Sequence, residues 1–388
     1  MLKAKPPIAL FDICCQIEAS GLRPLEKVTI RALIKTGRDV FGSHAYFEAD
    51  EHGTVKLFTQ PSLGGSYRGI NPMGLFWSVK PLPGQRPGLR MMPRDVLKPL
   101  VYHLGLELGH FTGEEWPTEQ TLRLGETVQC QRLLCAPYVR RIEVNHGRLR
   151  GTLFLPQNNT GKPLPGIIDL YGTAGGLFEY RGSLLASHGF AVFCLAYFAH
   201  ADLSDKLEDV DLTYFEEAVE WLTSRDDVLQ EGIGCVGSSF GSDVLCYLAS
   251  VSSKVKAVAT INGYHMIEPF APMKYRGKPL PCAESADASS IDFRDGLLYY
   301  ATTRRAMKDP ENLIIPIEKS SAKFLFFVSM DDQLTCADYS VRRLLSRLEL
   351  NGKIDQAETV RFEKTGHLLE PPYMPVCTES FHKIIGKR

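Results

Sequence analysis

Gly232-Ile-Gly-Cys-Val-Gly-Ser-Ser-Phe-Gly-Ser-Asp-Val-Leu-Cys-Tyr-Leu-Ala-Ser250 decides the fold of this chain. Its apolar opening, Gly232–Val236, reads as a short buried strand, and Ser242–Ser250 reads as a helix. The two are joined by Gly237-Ser-Ser-Phe-Gly241, a Gly-x-Ser-x-Gly turn centred on Ser239. A strand-to-helix turn that tight needs flanking residues without side chains, because a β-carbon at either glycine would meet neighbouring backbone. Ser239 then stands at the start of the helix, where unpaired N–H groups favour developing negative charge.

Around this stretch, apolar runs alternate with helical periodicity from about residue 140 onward. Gly166–Tyr171, Ala191–Ala196, Ile233–Val236, Val255–Ile261 and Phe324–Val328 read as buried parallel strands. Between them Leu212, Phe215, Val219 and Leu222 recur at helical spacing, with Glu216, Glu217 and Glu220 on the wet side. Alternation of this kind predicts a doubly wound, mainly parallel sheet. Pro156–Pro165, including Asn158-Asn-Thr-Gly161, reads as a surface loop within that sheet domain.

The first third differs. Asp12–Glu18, Lys27–Leu33 and Ser43–Ala49 alternate apolar and polar residues and are separated by turn clusters, which predicts a β-sandwich. The glycine-rich stretch from Leu63 to Gly74 lacks the strand–glycine–helix context of a phosphate loop and reads as tight turns at a domain interface. With 388 residues, two domains are expected, 1–138 and 139–388.

Composition narrows the function. The formal net charge of −1 leaves no basic excess for a nucleic-acid backbone, so no nucleic-acid partner is expected. The ten cysteines include no Cys-x-x-Cys pair, which argues against zinc and thioredoxin-like chemistry and for reduced thiols. Cys194, Cys235 and Cys246 lie inside apolar runs and read as core residues. No apolar run is long enough to span a bilayer, and the first residues resemble neither a signal nor a transit peptide. The last three residues are no peroxisomal address, so a cytoplasmic location is expected, with peroxisomal or mitochondrial placement left open.

A serine nucleophile needs a base, and the base needs an orienting carboxylate. When the serine sits at such an elbow, the chain order is serine, acid, histidine. Two histidines follow residue 300. His367 lies on a loop after the strand-like Glu358–Phe362 and is the candidate base, whereas His382 reads as an ordinary helix residue. Phe324-Leu-Phe-Phe-Val-Ser329 runs into Met330-Asp331-Asp332, and one of these two aspartates should accept the imidazole N–H. Spacing does not choose between them. An oxyanion hole needs two backbone N–H donors. Phe240 supplies one, and the loop Tyr171–Gly176, at Thr173 and Ala174, supplies the other unless it is a plain strand-to-helix turn. Arg181 is a contributor to phosphate binding or, more simply, an exposed or salt-bridged arginine.

Five longer stretches carry a family resemblance. They are Leu63-Gly-Gly-Ser-Tyr-Arg-Gly69, Pro72-Met-Gly-Leu-Phe-Trp77, Gly147-Arg-Leu-Arg-Gly-Thr-Leu-Phe-Leu-Pro156, Gly172-Thr-Ala-Gly-Gly-Leu-Phe-Glu-Tyr-Arg181 and Gly366-His-Leu-Leu-Glu-Pro-Pro-Tyr373. Through them the chain resembles the acyl-CoA thioesterases that share ancestry with bile acid-CoA:amino acid N-acyltransferase. The resemblance implies an immunoglobulin-like β-sandwich followed by an α/β-hydrolase domain. It implies hydrolysis of long-chain fatty acyl-CoA, with Ser239 as nucleophile, His367 as base and Asp332 as the acid. Coenzyme A would be part of substrate and product, and no separate cofactor or metal is implied. The N-acyltransferase branch carries cysteine at the nucleophile position, so Ser239 points to water as acceptor. An amino acid N-acyltransferase and a weakly active acyl-CoA binding protein are the competing readings. Family members continue past the position of Ile385 into a final helix, so an uncovered sheet face, or one buried in a homo-oligomer, is expected here.

Overall fold

The computed structural model describes residues 1–86, 88–110, 127–157, 161–285, 292–382 and 386–387. Asn158, Asn159 and Thr160 of the expected surface loop lie outside these residues, as do residues 383–385 and 388. The chain divides into two compact units. One comprises Met1–Ala136 with Glu370–Phe381, the other Pro137–Leu369 with His382–Arg388. Residues 370–381, which fall in the second half of the sequence, are thus part of the first unit.

The second unit is built on one eight-stranded sheet. Its strands in chain order are β1 (Val139–His146), β2 (Leu149–Pro156), β3 (Leu164–Leu170), β4 (Ala191–Ala196), β5 (Val228–Ser238), β6 (Val255–Ile261), β7 (Lys323–Ser329) and β8 (Ala357–Phe362). The spatial order is β1-β2-β4-β3-β5-β6-β7-β8. β1 and β2 form an antiparallel hairpin, β2 runs antiparallel to β4, and every later pairing is parallel. This is the α/β-hydrolase sheet.

Sequence explains the arrangement. Every residue of β4 is buried, as parallel strands covered on both faces require. The helix α2 (Leu212–Thr223) buries Leu212, Phe215, Val219 and Leu222, the four positions the helical spacing singles out. Its start is capped by Asp211, whose carboxylate accepts the Thr213 N–H at 2.9 Å. Leu153, Ile168, Phe193, Phe215, Leu245, Val258 and Phe326 belong to one continuous core. On one face of β6–β8, by contrast, Ala259, Leu325 and Phe327 are half-buried and Val360 is 39% exposed.

The topology creates the site. β3 has β4 on one side and β5 on the other, so the chain reverses direction across the sheet there. Leu170 pairs with Gly237, which brings the loop after β3 beside the loop after β5. Helices α1 (Tyr180–Ser187) and α3 (Phe240–Val251) leave from those two loops.

The first unit is β-rich. A seven-stranded sheet contains Lys27–Thr36, Asp39–Glu48 and Leu100–Leu108 at its centre, and a three-stranded sheet contains Leu2–Lys5, Gln16–Ser20 and Thr54–Lys56. In the glycine-rich stretch, Gly64 and Gly65 pair with Tyr46 and Ala45. Gly65, at φ +98°, has no room for a side chain, since a β-carbon would fall 2.4 Å from the His44 carbonyl oxygen. The returning segment is tied in by Arg90 with Glu370, by the Val376 N–H on the Trp77 carbonyl at 2.9 Å and by the Phe381 N–H on the Gly88 carbonyl at 3.1 Å. His382, expected on a helix, lies instead at the end of a strand. Phe381–His382 form a short strand paired with Gly386–Lys387, and Phe381 is 66% exposed.

Candidate active site

Ser239 lies at the end of β5 with φ 54° and ψ −131°, a conformation L-residues rarely adopt. The surrounding backbone holds it there. Its N–H donates to the Ile261 carbonyl at 2.8 Å, and its carbonyl accepts the Ser242 N–H at 2.8 Å. Three glycines make the turn sterically feasible. A β-carbon on Gly237 would fall 2.7 Å from the Gly241 carbonyl oxygen, and one on Gly241 would fall 2.7 Å from the Tyr171 carbonyl oxygen. One on Gly172 would sit 2.8 Å from Ser239 Cβ and 3.3 Å from its Oγ. The serine hydroxyl therefore lies against the loop that follows β3.

The Gly237 contact is with backbone that has no rotamer to move into. Gly237→Ala should destabilise the protein by about 2–3 kcal/mol, the range for overpacking a tight site. Calorimetry should show the unfolding midpoint of the hydrolase unit lowered by roughly 4–10 °C. An unchanged midpoint would mean that the turn opens freely.

His367 Nδ1 lies 2.9 Å from Asp332 Oδ2, with side chains 9% and 1% exposed. An ionised carboxylate only accepts, so Nδ1 carries the proton and Nε2 is left as the basic nitrogen. Asp332 is held on every side. Its Oδ1 accepts the Leu334 N–H at 2.8 Å and the Thr335 N–H at 3.0 Å, and its Oδ2 also accepts the Thr335 hydroxyl. Burial pushes the carboxyl upward, but the His367 charge and the hydrogen bonds from His367 and Thr335 outweigh it and bring it down to about 2. Asp331 points elsewhere. It is exposed, and its carboxylate accepts from the Gln333 side-chain amide at 2.7 Å. The geometry thus separates two neighbours that spacing could not.

Asn262, just after β6, links the pieces. Its Nδ2 donates to the His367 carbonyl at 2.8 Å and to the Ser329 hydroxyl at 2.8 Å, and its Oδ1 accepts the Ser329 N–H at 2.8 Å. It occupies the left-handed region at φ 51°, which asparagine tolerates well. Because Ile261 receives the Ser239 N–H, residues 261 and 262 anchor the serine and the histidine loop together. The Asn262-Gly263 dipeptide is a turn signal in the sequence, yet nothing in it announces this bracing role.

The loop after β3 is also fixed. The Tyr197 hydroxyl, from just beyond β4, donates to the Tyr171 carbonyl at 2.5 Å and the Gly172 carbonyl at 3.2 Å. A trans peptide points its C=O and N–H in opposite directions, so this grip turns the Thr173 N–H away from Tyr197. Burial raises the Tyr197 hydroxyl well above the usual phenol range, so it keeps the proton it donates. Arg181 does not face outward to bind phosphate. It is buried, with its Nε on Asp169 Oδ1 at 2.8 Å, its Nη2 on the Leu170 carbonyl at 2.8 Å and its Nη1 on the Ser238 hydroxyl. Its guanidinium stacks 4.3 Å from the centre of the Tyr171 ring.

Comparison with known proteins fits both units. Residues 12–146 match the family described as the acyl-CoA thioester hydrolase/BAAT N-terminal region, and residues 210–388 match its BAAT/acyl-CoA thioester hydrolase C-terminal counterpart. The chain belongs to the acyl-CoA thioester hydrolase/BAAT family. It is 37% identical to acyl-coenzyme A amino acid N-acyltransferase 1 of Mus musculus, covering 100% of this chain and 90% of that protein. It is 36% identical to acyl-coenzyme A thioesterase 1 of Mus musculus, covering 97% and 87%. It is 37% identical to bile acid-CoA:amino acid N-acyltransferase of Mus musculus, covering 98% and 89%. The family thus holds thioester hydrolases and N-acyltransferases alike. Among the described residues no helix is long and apolar enough to cross a membrane.

Proposed function

We propose that this family member hydrolyses long-chain fatty acyl-CoA to free fatty acid and coenzyme A through an acyl-serine intermediate. The observation that carries the reading is the Asp332–His367 pair, braced through Asn262 to the same turn that holds Ser239. Ser239 Oγ attacks the thioester carbonyl while His367 Nε2 takes its proton. The tetrahedral oxyanion rests on the N–H of Phe240, at the start of α3, and on that of the Thr173–Ala174 segment, which Tyr197 keeps in place. Collapse breaks the carbon–sulfur bond, and His367 returns the proton to the departing sulfur of coenzyme A. Water then gives a proton to His367, attacks the acyl-serine and releases the fatty acid, and Ser239 regains its hydrogen. No separate cofactor enters these steps.

The similarity to amino acid N-acyltransferases favours a second reading, in which an amine replaces water in the second half-reaction. Product analysis separates the two. The purified chain is given palmitoyl-CoA, thiol release is followed, and the acyl product is identified by mass spectrometry with and without millimolar glycine or taurine. Free palmitate should dominate in every case. Acyl-glycine or acyl-taurine as the main product would defeat the hydrolase reading, and absence of thiol release would point to a binding protein.

A further inference from the structure

The first unit holds a group of side chains that the proposed reaction does not use. Arg132 is 0% exposed, yet among the described residues no carboxylate lies within ion-pair distance of it. Its Nη2 donates to the Pro6 carbonyl at 2.9 Å and contacts the Cys130 sulfur, and its guanidinium lies 5.4 Å from the centre of the Phe76 ring. A buried guanidinium without a counter-charge is strongly unfavourable. The group placed to supply that charge is Cys130, whose sulfur the guanidinium touches. Cys15, also 0% exposed, lies with its sulfur 3.5 Å from that of Cys130. The sulfur–sulfur contact with Cys15 favours ionisation of Cys130; burial opposes this and the Arg132 contact reinforces it. Cys15 is pushed in the opposite direction and keeps its proton.

We propose that Cys130, with Arg132 as its counter-ion and Cys15 as its resolving thiol, is a peroxide-reactive modification site that closes to a Cys15–Cys130 disulfide. The Cys130 thiolate attacks one oxygen of a hydroperoxide, the O–O bond breaks, and hydroxide leaves (an alkoxide from an organic peroxide). Cys130 becomes a sulfenic acid. The Cys15 sulfur then attacks the Cys130 sulfur, its proton goes to the departing oxygen, and water leaves. Two thiols and one hydrogen peroxide thus give one disulfide and two waters. The sulfurs need to approach by roughly 1.5 Å to reach bonding distance. Cys15 and Cys130 are buried and paired beside an arginine, whereas Cys14 and Cys282 are exposed and, among the described residues, lack such a contact.

The test is chemical and does not depend on acyl-CoA turnover. The full chain is treated with hydrogen peroxide at neutral pH under native conditions, free thiols are alkylated, and the digest is read by mass spectrometry without reduction. The Cys15–Cys130 peptide pair should accumulate. In Cys15→Ser, Cys130 should instead be trapped as sulfenic acid by dimedone. Arg132→Met should slow the oxidation about tenfold, as expected from loss of the thiolate. The proposal is overturned if Cys15 and Cys130 stay unmodified after Cys14 and Cys282 have reacted, if Cys15 pairs with Cys14, or if a folded Arg132→Met reacts at the wild-type rate. The wild-type cross-link decides the matter if the arginine variant does not fold.

Discussion

Ser239→Ala should lower the turnover of palmitoyl-CoA by about 10⁴- to 10⁶-fold, the loss expected when the nucleophile of a catalytic triad is removed. The residual rate should be that of the oxyanion donors and binding alone. The fold should survive. Alanine keeps the β-carbon packed against Gly172, and the Ser239 hydroxyl makes no capping hydrogen bond whose loss would loosen α3. The variant should therefore unfold at the wild-type temperature and still bind a non-hydrolysable acyl-CoA thioether. The adjacent Ser238 is no substitute, because its hydroxyl is engaged by Arg181. Thiol release within tenfold of wild type, from a variant of intact stability, would place the nucleophile elsewhere.

Asp332→Asn should cost about 10³- to 10⁴-fold in kcat, although it removes no atom that touches substrate. Both carboxylate oxygens face donors: two backbone N–H groups at Oδ1, and the Thr335 hydroxyl with His367 Nδ1 at Oδ2. An asparagine must direct its amide NH₂ at one of these sets. The backbone donors cannot turn round, whereas the hydroxyl and the imidazole can accept. The NH₂ therefore goes to the Oδ2 side, His367 shifts its proton to Nε2, and the nitrogen that should receive the serine proton is already occupied. A second consequence concerns pH. Because Asp332 titrates near 2, it is ionised across any range in which the enzyme is assayed, so the acid limb of the wild-type kcat/KM profile should report the imidazole alone. An asparagine variant within tenfold of wild-type kcat would show that the tautomer is not set by this contact.

What the sequence revealed and what it hid follow from the same physics. The Ser239 turn was legible because its geometry demands glycines at fixed positions, and the demand is visible as Gly237 and Gly241. The strands β3 and β4 were legible because burial on both faces makes them continuous apolar runs. Asp331 and Asp332 were not separable, since adjacent residues point opposite ways at a strand end and only the three-dimensional path of the His367 loop tells which faces inward. Tyr197 and Asn262 were invisible for a related reason. Each acts on a loop brought near by sheet order, β4 beside β3 and β6 between β5 and β7, and sheet order leaves no local trace in the chain. The short run at His382 misled because a few residues of helical composition make a weak helix signal on their own.

The backbone angles at Ser239 have an evolutionary corollary. A residue in that region carries on the order of 1–3 kcal/mol of conformational strain, and glycine is the amino acid that escapes it. The most heat-resistant version of this protein is therefore expected to be a dead one, with position 239 relaxed to glycine. A laboratory selection for thermostability alone would drift toward that sequence, and the persistence of serine there would be the mark of pressure to keep the chemistry.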